Sequence, residues 1–209
     1  MSKTSAAVSR QKLVRLVLTA LLTALIIVMA FTPLGYLKAG AIEITFITIP
    51  VVMGAVLLGP TVGLFLGAVF GITSFIQCFG MSAFGVALLA VNPVFTAIVC
   101  IVPRVLMGWL TGLIFKALTS KGTQKFAHHL IACIAGPVLN TVLFTVTLVL
   151  LFSKSTVILE LMASMGSANI FAFAVAFVGI NGIVEAVSCA VLGTALCKAL
   201  SAAMKKMKI

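Results

Sequence analysis

Four polar residues interrupt stretches that are otherwise almost wholly apolar: Arg104, Asn140, Asn181 and Glu185. An arginine presents a planar fork of donors that receives a carboxylate through two parallel hydrogen bonds. Asparagine both donates and accepts, and an ionised carboxyl only accepts. Together these residues describe a polar pocket for a small hydrophilic solute, with Arg104 receiving a carboxylate. A second reading is architectural. It has an Arg104–Glu185 ion pair fixing a helix bundle and Asn140 bonding across helices. The two readings are compatible if Glu185 orients Arg104 while a solute takes its free face. Gln77, Asn92, Tyr36 and Lys38 are further binding candidates, joined by Thr45 and Thr48. Tyr36 and Lys38 suit interfacial anchoring and snorkelling equally well.

The elements that hold these residues follow from composition. Of 209 residues 63% are hydrophobic and only 8% charged, against roughly 25% charged in an ordinary globular domain. Mean hydropathy is +1.34. These figures exclude a water-soluble domain, a disordered chain, a collagen, a coiled coil and a disulfide scaffold. They leave a polytopic helical membrane protein. At about 20 residues per crossing the length accommodates roughly five to seven helices, with no room for a soluble catalytic domain.

The net charge of +11 is a map of topology. Lys3, Arg10, Lys12 and Arg15 precede the first apolar run. Lys116, Lys121 and Lys125 bracket a polar loop that also holds His128 and His129. Lys198, Lys205, Lys206 and Lys208 form the tail. The positive-inside rule places all three segments in the cytoplasm, so the number of spans is even. The expected spans are about 13–32, 46–58, 61–79, 94–117, 128–152 and 169–198. The basic tails are about 1–12 and 199–209, and 1–209 is one transmembrane substrate-binding domain. The second span is short, and the apolar segment 83–91 is either loop or half-helix. The basic excess reads as orientation and attraction to anionic lipid, not nucleic-acid binding, because no basic domain exists to carry that.

Depth ties the polar residues together. Arg104 lies 12 residues before Lys116, about 18 Å along a helix. Asn140 lies 15 residues after Lys125, about 22 Å, and Glu185 lies 13 before Lys198, about 20 Å. Asn181 and Glu185 are four apart and share a face. Three helices thus carry polar groups at one level. Ionisable groups at such depth are costly and mark function by default.

Small residues mark close helix packing. Gly59, Gly63, Gly67 and Gly71 repeat every four residues, as do Gly108 and Gly112, and Ala20 and Ala24 on the first span. The five cysteines lie in or beside apolar runs without a C-x-x-C pair, as small buried hydrophobes do. Neither a metal site nor a catalytic site is expected. The chain has no GxxxxGK[ST], H-E-x-x-H or G-x-S-x-G motif, and one acid within the spans is too few for paired acid–base work. A solute-binding membrane protein that binds no ATP and has no evident internal repeat needs a partner that supplies energy.

Four stretches carry a resemblance that covers nearly the whole chain. They are Ala20-xxx-Ala24, IPVVMGAVLLGPTVGLFLGAVFGITS at 49–74, PRVLMGWLTGLIFKAL at 103–118 followed by GPVLNTVLF at 136–144, and NGIVEAVSCAVLGTALCKAL at 181–200. In combination and order they resemble the S component of an energy-coupling factor (ECF) vitamin transporter, nearest the pantothenate-type (PanT) branch. The resemblance implies an all-α integral membrane fold of six transmembrane helices with both termini cytoplasmic. It implies one vitamin bound on the extracellular side, with the loops after spans one, three and five as lid and walls. It implies docking of Ala20 and Ala24 on the transmembrane coupling protein EcfT. Two EcfA-type ATPases would consume the ATP, so no cofactor is expected in this chain. The S component would topple in the cell membrane to deliver the vitamin. Folate, riboflavin or cobalamin are alternative substrates. A stand-alone secondary carrier with Glu185 as a proton or ion site, and a purely structural membrane protein, are the alternative functions.

Overall fold

In the computed structural model the backbone is described for residues 3–39, 42–120, 125–164 and 182–206, with 166, 169 and 172 between. Helix α1 (Lys3–Ala30) leads through a 3-10 turn (Pro33–Gly35) into a hairpin of β1 (Tyr36–Ala39) and β2 (Ile42–Thr45). Then come α2 (Thr48–Leu58), α3 (Pro60–Gln77), α4 (Ala83–Val91), α5 (Pro93–Leu118), α6 (Phe126–Phe152) and α7 (Thr156–Ser164). The last helix, α8, runs over 182–206 with a π-helical turn at Cys189–Gly193.

Five of these helices are long and apolar enough to cross a membrane, among the described residues: α1, α3, α5, α6 and α8. The second expected span, 46–58, is α2, a shorter apolar helix. Its 11 residues extend about 16 Å, against roughly 30 Å of hydrocarbon. Gly59 and Pro60 end it: Gly59 has φ 94° and ψ 174°, a conformation open in practice only to glycine, and Pro60 begins α3. A short helix is tolerated at membrane depth when protein encloses it. Ten of the 11 residues of α2 are buried, against α1, α3, α5, α6 and α8.

The chain is all-helical as expected except for two short strands within the semi-polar stretch 36–45. This stretch forms an antiparallel hairpin in the register Tyr36↔Thr45, Leu37↔Ile44, Lys38↔Glu43 and Ala39↔Ile42. Lys38 and Glu43 thus occupy paired register positions on the two strands. The Phe46 N–H donates to Gly35 O at 2.9 Å and closes the hairpin's base. The segment 83–91 is helical, started by Ser82, whose hydroxyl accepts from Gly85 N.

The connections place the hairpin, α4 and α7 at one end of the bundle. The Gly59–Pro60 turn, the end of α5, the start of α6, the start of α1 and the end of α8 lie at the other. Arg15 on α1 donates to Leu58 O at 2.6 Å at that second end. His129 on α6 lies there between the Phe115 ring and the Ser201 hydroxyl.

The glycines decide how closely α3 and α5 approach. A Cβ on Gly71 would come to 2.7 Å of Ile101 Cα, and one on Gly67 to 3.0 Å of Arg104 C. Gly63 and Gly108 face each other backbone to backbone. Gly59, expected in the same stripe, lies outside the helix and serves the turn.

Two apolar clusters result. The larger joins α1, α2, α3, the inner parts of α5 and α6, and α8, with Leu22, Ile26, Val51, Leu66, Phe70 and Met107 buried in it. The smaller gathers Leu88 of α4, Val99 of α5, Leu148 and Phe152 of α6, and Ile158 of α7 at the hairpin end.

Candidate functional site

Arg104 lies at the seam between the two clusters. It is 9% exposed, and its Cζ is 5.5 Å from the centroid of Phe70 and 4.6 Å from that of Phe144. Phe70 belongs to the larger cluster and Phe144 packs on the smaller. The guanidinium is thus held between two ring faces, an arrangement worth about 2 kcal/mol or more where water is excluded.

The preceding residue explains its orientation. Pro103 is inside α5 and has no N–H, so the carbonyl four residues back, Val99 O, loses its helical donor. Arg104 Nη1 donates to that carbonyl at 2.7 Å. The Pro-Arg pair therefore creates an acceptor and fills it. Arg104 Nε remains buried without a partner.

Asn140 lies on α6 one turn before Phe144 and is 5% exposed, with its Oδ1 buried and unpartnered. Thr145 beside Phe144 has a buried, unpartnered hydroxyl. Glu185 on α8 is 4% exposed. Its Oε1 accepts from the Thr45 N–H at 3.0 Å, while Oε2 is buried and accepts nothing. The Asn140 amide flanks this carboxyl, and the Arg104 charge acts on it. The helices meet closely here, since a Cβ on Gly182 would touch Thr141 at 3.5 Å.

The structure thus brings Arg104, Asn140 and Glu185 to one level, as their depths predicted. The expected Arg104–Glu185 ion pair is not formed. Arg104 turns along its own helix to the carbonyl that Pro103 frees, and Glu185 turns to the end of β2.

The other candidates separate from this cluster. Gln77 is about 10 Å along α3 from Phe70, and its Nε2 donates to Ala30 O, tying α3 to the end of α1. Asn92 is about 18 Å along α5 from Arg104 and caps that helix, its Oδ1 accepting from Val94 N at 3.0 Å and Phe95 N at 3.1 Å. Tyr36 and Lys38 fall on β1, with side chains outside the described residues, and Asn181 lies wholly outside them. Ala20 and Ala24 are exposed on α1, on a face with exposed Leu13, Leu16, Val17 and Ile27 nearby.

Phe70, Phe144 and Val99 were not read from the sequence, and Thr45, a candidate there, enters through its backbone N–H. Phenylalanines and main-chain groups carry no anomaly in a chain this apolar. The adjacency of Pro103 and Arg104 was the one available signal.

Among proteins of curated function, none matches the sequence. The solved S-component for biotin from an ECF-type ABC transporter is similar in fold, with a TM-score of 0.57 at 19% identity over 95% of each chain. A family model described as the ECF transporter, substrate-specific component, matches residues 14–196. That match takes in most of each long apolar helix among the described residues, with Arg104, Asn140 and Glu185, and the chain belongs to the family of ECF transporter substrate-specific components.

Proposed function

We propose that this chain binds a water-soluble vitamin, pantothenate, at the polar cluster around Arg104, and delivers it as the S component of an ECF importer in the bacterial cell membrane. The observation that carries this reading is the set of buried polar atoms without partners: Arg104 Nε, Asn140 Oδ1 and Glu185 Oε2. Each such atom costs about 1–3 kcal/mol, and three in one cluster call for a guest that satisfies them. Pantothenate has a carboxylate, an amide and two hydroxyls. Its carboxylate suits the guanidinium, which keeps donors beyond the Val99 bond. Its hydroxyl and amide donors suit the acceptors of Asn140 and Glu185. Phe70 and Phe144 line the aliphatic part of such a ligand.

Family membership supports the remainder of the reading. The basic end of the bundle faces the cytoplasm. Exposed Ala20 and Ala24 give EcfT a smooth place to dock, and two EcfA-type ATPases power the cycle. The lipid-facing surface lets the protein topple and release the vitamin inside.

Biotin is the second reading, because the similar solved structure is an S-component for it. It too has a carboxylate and N–H donors. Purification in mild detergent, denaturation and mass spectrometry of the released small molecules decide between them. Near-stoichiometric pantothenate is expected. Another vitamin replaces the substrate alone. An empty protein that also ignores a vitamin panel overturns the functional reading.

A further inference from the structure

Two of the five cysteines meet where α3 ends. Cys78 follows the last residue of α3, and Cys100 lies in the outer part of α5, one turn before Arg104. The two helices run antiparallel and approach closely, since a Cβ on Gly71 would come to 3.1 Å of Cys100 O. Side chains on a helix lean toward its N-terminus, so across this antiparallel pair Cys78 and Cys100 lean toward each other. Their Sγ atoms are 3.7 Å apart. Cys78 Sγ also donates to Ser74 O at 3.4 Å. Both side chains are buried, and the first turn of α4 covers the pair, because a Cβ on Gly85 would lie 2.7 Å from Cys78 Sγ. Cys133, Cys189 and Cys197 belong instead to the larger cluster. Among the described residues no group of three His, Cys, Asp or Glu side chains is placed to hold a metal ion, so the chemistry open to this pair is covalent.

We propose that Cys78 and Cys100 form a redox modification site, a dithiol that a small hydroperoxide converts to a disulfide, and that the bond weakens vitamin binding through the turn of α5 that holds Arg104. The hydroperoxide is reduced by two electrons and the two thiols are oxidised. One thiol attacks the O–O bond, giving a sulfenic acid and releasing an alcohol, or water from hydrogen peroxide. The second thiol attacks the sulfenic sulfur, the S–S bond forms, and water leaves with the remaining thiol proton. Burial under α4 selects an oxidant of this size. The pair lies at the hairpin end, which the orientation proposed above leaves outside the cytoplasm, where disulfides persist.

The coupling to Arg104 is a matter of one peptide plane. That plane contains Val99 C and O together with Cys100 N and Cα. Val99 O is the acceptor for Arg104 Nη1. The sulfurs must close by about 1.7 Å to bond, and movement of the Cys100 backbone toward α3 tilts the carbonyl that orients the guanidinium. This second step rests on the binding function proposed above; the disulfide itself does not.

The test treats detergent-purified wild type, Cys78→Ser and Cys100→Ser with hydrogen peroxide and maps the peptides by mass spectrometry. Wild type is expected to give a 78–100 linkage that dithiothreitol reverses and that neither variant forms. Thiols at 78 and 100 that stay open to alkylation after denaturation, or a sulfinic acid at either without linkage, overturn the site. Pantothenate and biotin then serve as probes of the linked protein. The vitamin that reduced wild type binds is expected to bind at least fivefold more weakly after linkage and to regain its affinity with dithiothreitol. Either serine variant that folds controls for other oxidation, and it is expected to keep its affinity through the same treatment. Unchanged affinity in the linked protein overturns the coupling to Arg104. A reduced wild type that binds neither probe and carries no vitamin overturns the functional reading and the coupling with it, while the peptide map still decides the disulfide.

Discussion

Arg104 and Pro103 act as a unit, and the order of the two residues matters. Pro103→Ala restores an N–H to Val99 O and removes the reason for Arg104 to turn back on its helix. The variant is expected to be at least as thermally stable as wild type, since an interior proline disfavours a helix. It is expected to lose about tenfold in ligand affinity, roughly 1.4 kcal/mol, which calorimetry in detergent would detect. A lower melting temperature with unchanged affinity would contradict this account. Arg104→Ala is expected to abolish binding while the protein still elutes as a monodisperse species, because it removes the charge proposed to meet the carboxylate. Retained affinity in that folded variant would remove Arg104 from the site. At this scale the sequence was informative where polarity was anomalous. Arg104, Asn140 and Glu185 stood out because an apolar environment makes each expensive. Whom each residue bonds to was not legible. An ion pair is the simplest way to place opposite charges at one depth, but a freed carbonyl and a strand end, both main-chain groups, compete for them here.

Helices α3 and α5 meet along glycines, so their contact tolerates no added side chain. Gly71→Leu must displace the backbone near Ile101. It is expected to lower stability by about 3 kcal/mol, the upper end of overpacking costs, read as a fall in the melting temperature of the ligand-free protein. The same substitution at Gly80, which has nothing within 4 Å, meets no neighbour but does strain a backbone at φ 133°. A smaller loss there than at Gly71 would separate packing from backbone strain. The long helices were legible from hydropathy, with boundaries near those observed for α3, α5 and α6, whereas α1 begins ahead of its expected span and the first part of the expected 169–198 span lies outside the described residues. The hairpin was not, because two four-residue strands are too short for a period-2 pattern to rise above a semi-polar stretch. The true length of α2 was legible in Gly59-Pro60, but burial inside a bundle and passage across lipid give the same apolar run.

On the scale of the whole molecule, α1 has two distinct sides. Leu22, Ile26 and Ala30 enter the larger cluster, while Ala20 and Ala24 remain outside it. Ala20→Trp with Ala24→Trp is expected to leave vitamin affinity unchanged and to block uptake in cells that hold the coupling module. Normal uptake by the double variant would exclude docking through this face. The division into two apolar clusters has a thermodynamic consequence. Clusters with separate membership behave as separate cooperative units when little joins them. Here one cation between Phe70 and Phe144 lies at the join. The ligand-free protein is therefore expected to melt in two steps, the α4–α7 unit first, and a guest bound at Arg104 to merge them into one. Scanning calorimetry with and without the vitamin measures this directly, and a single ligand-free transition would contradict it. Occupancy would then be written into the mechanics of the chain: an empty S component is two loosely coupled bodies, and a loaded one moves as a single body.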